Sequence, residues 1–272
     1  MKTFKHATVY LILSIGALVM VFPFFWMVVS SLKTAAEVNT TPPTFWPQKL
    51  MFENYRYAFE KAPFLIYFKN SVVVTVSCVV LTVLTTILAA FAFSRLKFPG
   101  RDLLFSLLLA MMMIPFEILI ITNYTTIVAM GLIDTLVALI IPFTSSIFYT
   151  YILRNFFLSI PDSLYYSARV DGANNWRYLW RIMVPIAKPA LVTVALLNAI
   201  ASWNSFLWTM IATNSTEVRT LPFGLYAFMS SSGIRYERLM AAATIVVVPM
   251  IFLFILFRKH IVAGVSRGGL KG

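Results

Sequence analysis

The chain has 272 residues, 60% of them hydrophobic and 12% charged, where an average soluble domain carries about 25% charged residues. Mean hydropathy is +0.84. A soluble core of this length cannot hide so much apolar surface, so a membrane protein is expected, with runs of about 20 apolar residues as its spans. The net charge of +12 would suggest nucleic acid in a soluble protein. Here Lys and Arg holding loops on the cytoplasmic side account for it, and no nucleic-acid partner is expected. Cys78 is the one cysteine, so no internal disulfide can form. With only His6 and His260 beside it, no metal site is expected.

In chain order, spans are expected at about 7–32, 69–94, 102–125, 135–153, 186–210 and 239–257. Lys2 and Lys5 precede the first apolar run as in a signal peptide, but the run is too long for one and reads as a retained span. Pro23, Pro115, Pro142 and Pro249 fall inside spans. Such prolines are tolerated where neighbouring helices or water satisfy the freed backbone groups. Loop 33–68 begins Pro-rich and ends aromatic, which suits an ordered external cap better than a linker. Fourteen of the 22 Lys and Arg residues fall in 1–6, 95–101, 154–188 and the C-terminal tail. The other eight lie in longer loops balanced by glutamates. The charge bias puts both termini and the 154–185 loop in the cytoplasm. Three parts follow: the first span with its external loop (1–68), a core of five spans (69–260) and a tail (261–272).

The stretch "PDSLYYSARVDGANNWRYLWRIMVP", residues 161–185, interrupts two apolar segments. Pro161 suits a helix start, and Asp162 or Ser163 can cap it. Gly172 fits the position after a helix end, where positive φ is cheap only for Gly. Asn174 or Asn175 can cap a second helix, whose Trp176, Leu179, Trp180 and Met183 form an apolar face. Arg177 and Arg181 share its other face, and Pro185 closes it. Two short helices joined at Gly172 are predicted at the membrane surface. They suit either an interfacial amphipathic elbow or a docking knob for a cytoplasmic partner.

This segment resembles the EAA loop of ABC importer permeases: Glu-Ala-Ala, three residues, Gly, nine residues, Ile, one residue, Leu-Pro. Here the pattern falls on Tyr166-Ser167-Ala168, Gly172, Ile182, Val184 and Pro185. The "DGA" of Asp171, Gly172 and Ala173 is similar to the carbohydrate branch. Tyr166 stands where the family has Glu. "SSLKTAAEV", "ENYRYAF", "NSVVV", "AFAFSRLKFPGR", "MMMIPFEILII", "MGLIDTLVALIIPF", "SWNSFLW" and "VAGVSRGGLKG" extend the resemblance, to maltose-type permeases, over nearly the whole chain. It implies an all-α polytopic membrane protein with six transmembrane helices and a cytoplasmic coupling-helix loop, the type I ABC importer permease fold. It also implies a bacterial cytoplasmic (inner) membrane location, and partners: a second permease subunit, two ATP-binding subunits that hold ATP and Mg, and an extracytoplasmic sugar-binding protein. This chain itself would carry no cofactor and no catalytic residue, and it contains no Walker A pattern.

Under the resemblance, Tyr166, Ser167, Ala168, Asp171, Gly172 and Ala173 are the residues expected to couple to the ATPase. Asp171 could equally cap the following turn. Small side chains at 167 and 168 would allow close approach to a cleft. Gly264, Gly268, Gly269 and Lys271 are expected to contact the ATPases from the tail. For the substrate path, Trp203, Asn204 and Trp208 combine an amide with aromatic faces, which suits sugars. Glu117 is an acid inside an apolar run, and Asn123 and Tyr124 follow it near the outer end. The alternatives are a glycerol 3-phosphate importer of the same class and an ion-coupled secondary transporter. The latter would favour intramembrane acids and an inverted repeat.

Overall fold

The computed structural model describes residues 2–229 and 234–268, with 2–5, 7 and 256–268 described by backbone alone. Among the described residues the regular structure is all helical. Three helices are each long and apolar enough to cross a membrane: α1 (Lys2–Ser31), α4 (Phe64–Arg95) and α13 (Tyr236–Gly268). Three bent pairs pass the same test together, so there are up to six spans if each pair is one span.

The bends correct the expectation of unbroken spans. Expected span 102–125 is instead α5 (Arg101–Met111) and α6 (Phe116–Ala129), set at 98°. Pro115 has no N–H to give and an extended backbone (φ −62°, ψ 142°), so the helix cannot pass through it. Span 135–153 becomes α7 (Leu136–Ile140), a 3₁₀ turn over Ile141–Phe143 with Pro142 in it, and α8 (Ile147–Leu158), with a 46° bend. The carbonyls opened there are satisfied from α4: Thr82 Oγ1 donates to Phe143 O at 2.7 Å and Thr85 Oγ1 to Thr144 O at 2.8 Å. Span 186–210 is also divided. Helix α10 (Asn175–Ile186) meets α11 (Lys188–Trp203) at 78°, and α12 (Leu207–Ala212) follows after a three-residue break. The last helix reaches well past the expected 257, to Gly268.

The chain divides into two compact units: residues 1–65 with 223–251, and residues 66–222 with 252–272. In the first, loop 33–62 is ordered by its own polar groups. Thr34 and Glu37 form a capping box at the start of α2 (Ala35–Val38). The Glu37 carboxylate accepts from Thr34 N–H at 2.9 Å and from Gln48 N–H at 2.6 Å, and these bonds hold it below the usual carboxylate range. Asn54, in α3 (Glu53–Lys61), donates its amide to Ser31 O and Lys33 O, both at 2.9 Å. Lys33 is buried, its Nζ 4.4 Å from the Trp26 ring centre and bonded to Thr44 O. A buried ammonium needs such partners.

In the second unit, Asn70 Nδ2 donates to Glu217 O at 2.7 Å and Arg219 O at 3.0 Å, and Ser71 Oγ accepts from Leu221 N–H at 2.7 Å. Asp134, at φ +61°, accepts from Asn214 and Ser215 N–H at 2.7 and 2.8 Å. Among the described residues, apolar cores form around two groups. One gathers Val74, Cys78, Ile127, Ala138, Leu139, Trp208 and Ala212. The other gathers Ile87, Ala90, Phe91, Leu153, Phe157 and Ile160 with Ala168, Ala173, Tyr178, Leu179 and Met183.

Candidate functional site

Residues 161–186 fold as two helices. Helix α9 (Asp162–Val170) starts after Pro161, with no side-chain cap. This corrects the expectation that Asp162 or Ser163 caps it. Asp162 sits in the first turn and pairs instead with Arg95, at the end of α4.

The end of α9 is a Schellman motif. Gly172, at φ +77°, donates to Arg169 O at 3.1 Å, and Ala173 N–H reaches back to Ala168 O at 2.9 Å. The apolar contact that accompanies such an end is Ala168 with Ala173, 6% and 8% exposed in one core. Helix α10 begins at Asn174, whose Oδ1 accepts from Arg177 N–H at 2.8 Å. That cap settles the choice of Asn174 over Asn175, while Asp171 stands at the C-cap of α9. Asn175 accepts instead from Tyr165 Oη at 2.9 Å. Pro185 does not end the helix: residues Leu179–Met183 form a π turn, and the helix continues to Ile186. A wider turn relieves the clash between a proline ring and the carbonyl four residues earlier.

The faces of α9 differ sharply. Tyr165 and Ala168 turn to the core. Ser163, Tyr166, Ser167 and Val170, at helical spacing, are exposed, Tyr166 at 61% and Val170 at 88%. Ala168 and Ala173 therefore pack inside this chain; of the two small residues expected to approach a cleft, Ala168 is turned inward, a correction, and Ser167 stays exposed. Tyr166, Ser167, Asp171 and Gly172 remain outward. In α10, Leu179 and Met183 are buried and Trp180 half-buried, while Trp176 is 63% exposed.

Arg95 ties this loop to the spans, and Arg154 ties α8 to α4 and α5. Arg95, its side chain 6% exposed, donates to Phe157 O at 2.8 Å and Ile160 O at 2.5 Å besides pairing with Asp162. Arg154, on α8, donates to Phe93 O at 3.0 Å, lies 3.5 Å from the Asp102 carboxylate and stacks 4.2 Å over Phe105. Sequence reasoning counted both only as loop charges.

The expected path residues separate. Trp208 is 1% exposed, donates Nε1–H to Ala138 O at 3.0 Å and meets Phe116 and Phe143 edge-on. Trp203 is 3% exposed and meets Phe68 at 5.9 Å. Both rings are packing elements in this chain, which corrects their assignment to an open path. Asn204, at the C-cap of α11, is exposed. Glu117, in the first turn of α6, is exposed, as is Tyr124 two turns on, with Asn123 half-buried beside it. In the tail, Gly264 and Gly268 lie in the backbone of α13, while Gly269 and Lys271 lie outside the described residues. Among the described residues no group of three or more His, Cys, Asp or Glu side chains could hold a metal ion.

Among the described residues, three apolar helices, three bent helix pairs and the short helix α9 describe a polytopic helical membrane protein. Residues 82–267 match the family of the binding-protein-dependent transport system inner membrane component, and the chain belongs to that family. It is 32% identical to the arabinooligosaccharides transport system permease protein AraQ of Halalkalibacterium halodurans, over 94% of this chain and 93% of the relative. It is 34% identical to the inner membrane ABC transporter permease protein YcjP of Escherichia coli, over 100% and 98%. The sulfoquinovosyl glycerol transport system permease protein SmoH of Agrobacterium fabrum is 32% identical over 92% and 89%. A chain in the crystal structure of a bacterial ABC transporter for import of the acidic polysaccharide alginate superposes with TM-score 0.79 at 25% identity, covering 95% of this chain and 96% of that one. The fold is that of a type I ABC importer permease. Its apolar helices and its inner-membrane relatives place the chain in the cytoplasmic membrane.

Proposed function

We propose that this chain is a permease subunit of an ATP-driven, binding-protein-dependent sugar importer, and that α9 is the helix its ATPase partner grips. The observation that carries the reading is the outward face Ser163-Tyr166-Ser167-Val170. It sits on a helix closed by Gly172, at the position where the family has its coupling loop. Relatives named for arabinooligosaccharides, sulfoquinovosyl glycerol and diacetylchitobiose support a carbohydrate substrate. In this reading both termini and α9 face the cytoplasm, as the Lys and Arg distribution favours. A second permease subunit completes the path, two ATP-binding subunits bind ATP and Mg, and an extracytoplasmic protein delivers the sugar. Closure of the ATPases displaces α9 and shifts the spans between inward- and outward-facing states, a two-state change biased from a distant site. This chain does no covalent chemistry. Exposed Glu117, Tyr124 and Asn204, with Asn123, offer hydroxyl-binding groups for the path. Gly264, Gly268, Gly269 and Lys271 form the end that reaches the ATPases.

The test is purification of this chain from native membranes, with identification of what accompanies it, and uptake measured with and without ATP. A second permease and an ATPase are expected, with ATP-dependent uptake of a sugar. Recovery alone, with uptake driven by an ion gradient, would overturn the reading in favour of a secondary transporter.

A further inference from the structure

We propose that Arg95 and Arg154 are positioning residues: a clasp that makes α9 and the adjoining ends of α4, α5 and α8 move as one body. The inference rests on the reading that α9 is the gripped helix, and it adds how the movement enters the spans.

The argument starts from what holds a nine-residue helix in place. Its own first turn is uncapped by any side chain, and most of its residues are exposed. Ala168 and the half-buried Tyr165 alone anchor it through apolar contact. That leaves its N-terminal end to polar contacts, and Arg95 supplies them. One guanidinium reaches the last turn of α8 through Phe157 O, the linker through Ile160 O, and α9 through Asp162. A planar fork of fixed N–H groups can hold three acceptors in one geometry, whereas a lysine ammonium on its flexible stem cannot. The Arg95 side chain is almost wholly buried, so its bonds to Phe157 O and Ile160 O are shielded from water and salt, while the Asp162 arm has its carboxylate 73% exposed. Arg154 repeats the device one layer further in. From α8 it bonds α4 through Phe93 O, faces Asp102 in the first turn of α5, and covers Phe105 of α5. The two arginines together connect four helices, and no apolar contact needs to slide for a push on α9 to reach α4 and α5.

The experiment uses the assembled importer in nanodiscs, with spin labels on Leu164→Cys in α9, outside the gripped face, and Ser106→Cys in α5. Both positions are exposed, and the native Cys78 is buried. The distance between the labels is read without nucleotide and with a trapped ATP state. One body predicts the same narrow distance in both states, and a broadened, state-dependent distance in Arg95→Gln and in Arg154→Gln. Solute moved per ATP hydrolysed should fall at least tenfold in Arg95→Gln, with Arg95→Lys failing to rescue it. A distance that changes with nucleotide in the unmutated pair would overturn the clasp. So would Arg95→Gln or Arg154→Gln complexes with unchanged distances and unchanged solute per ATP. If Arg95→Gln does not assemble, the unmutated pair and Asp162→Asn, which loosens only the exposed arm, still decide it. Failure of the gripped-helix reading shows separately, as an ATPase that does not crosslink to the thiol of the Val170→Cys variant.

Discussion

In the proposed reading, Tyr166 on the exposed face of α9 stands where the resembled motif has Glu, and the physics of contact changes with it. A phenol can stack on a cation or hydrogen-bond it, but it brings no charge. Retention of the ATPase should therefore vary little between low and high salt, since screening weakens only charge pairs strongly. Tyr166→Glu should make retention salt-sensitive. Tyr166→Ala should weaken it by on the order of 2 kcal/mol, as for a truncated interface aromatic. Co-purification across a salt series checks all three. Trp208 illustrates the opposite case, a residue whose type suggested sugar contact and whose place is in the core. Trp208→Phe leaves Ala138 O without its donor, a loss of about 1–3 kcal/mol for a buried carbonyl. The expected result is a lower thermal midpoint for the purified complex with an unchanged KM for uptake.

At the scale of elements, helix ends decide behaviour. A Cβ at Gly172 would meet nothing within 4 Å, so Gly172→Ala should cost only the left-handed backbone strain, about 1–2 kcal/mol. Gly172→Pro is different: its φ cannot reach +77° and it loses the N–H bonded to Arg169 O. The Ala variant should keep transport near normal. The Pro variant should insert in the membrane yet leave its partner ATPases hydrolysing ATP without uptake, which parallel assays of both activities on the complex would read. Glu37 does comparable work in loop 33–62. Its carboxyl is held low by the N–H groups of Thr34 and Gln48. A lowered folded-state pKa stabilises above the unfolded value of about 4.3 and loses that contribution as pH falls through the folded value. Amide protection in this loop, corrected for the intrinsic exchange rate, should therefore be full at neutral pH and be lost progressively as pH falls below the unfolded carboxylate value of about 4.3. In Glu37→Gln it should be weak throughout.

On the scale of the whole molecule, the break between α5 and α6 stands out. Backbone that leaves the helix at membrane depth cannot face lipid; it must meet protein or a water-filled cavity. Met113 in that break is 84% exposed, and exposed Glu117 follows it. The break should line the translocation path of the assembled importer. Met113→Cys should then react with a small water-soluble thiol reagent and be slowed by bound sugar. An active complex whose Met113→Cys thiol stays unreactive would place the break against the partner subunit.

The sequence determined the membrane setting, the positions of the apolar runs, the helix–glycine–helix shape of 161–186 and the family resemblance. Each follows from composition, from the short-range rules of helix ends, or from motif spacing. Gly172 and Asn174 act through neighbours within five residues, so the role of Gly172 was readable and the cap was narrowed to Asn174 or Asn175. Asn70, Ser71, Asp134, Arg95 and Arg154 act on backbone groups about 60 to 150 residues away, and no local pattern encodes such a partner. The same limit misplaced Trp203 and Trp208, because whether an aromatic lines a path or fills a core depends on what the fold brings against it. The bends were half legible, since proline marks where a helix breaks. The angle, and the threonines that satisfy the carbonyls at the Phe143–Thr144 turn, only tertiary packing supplied.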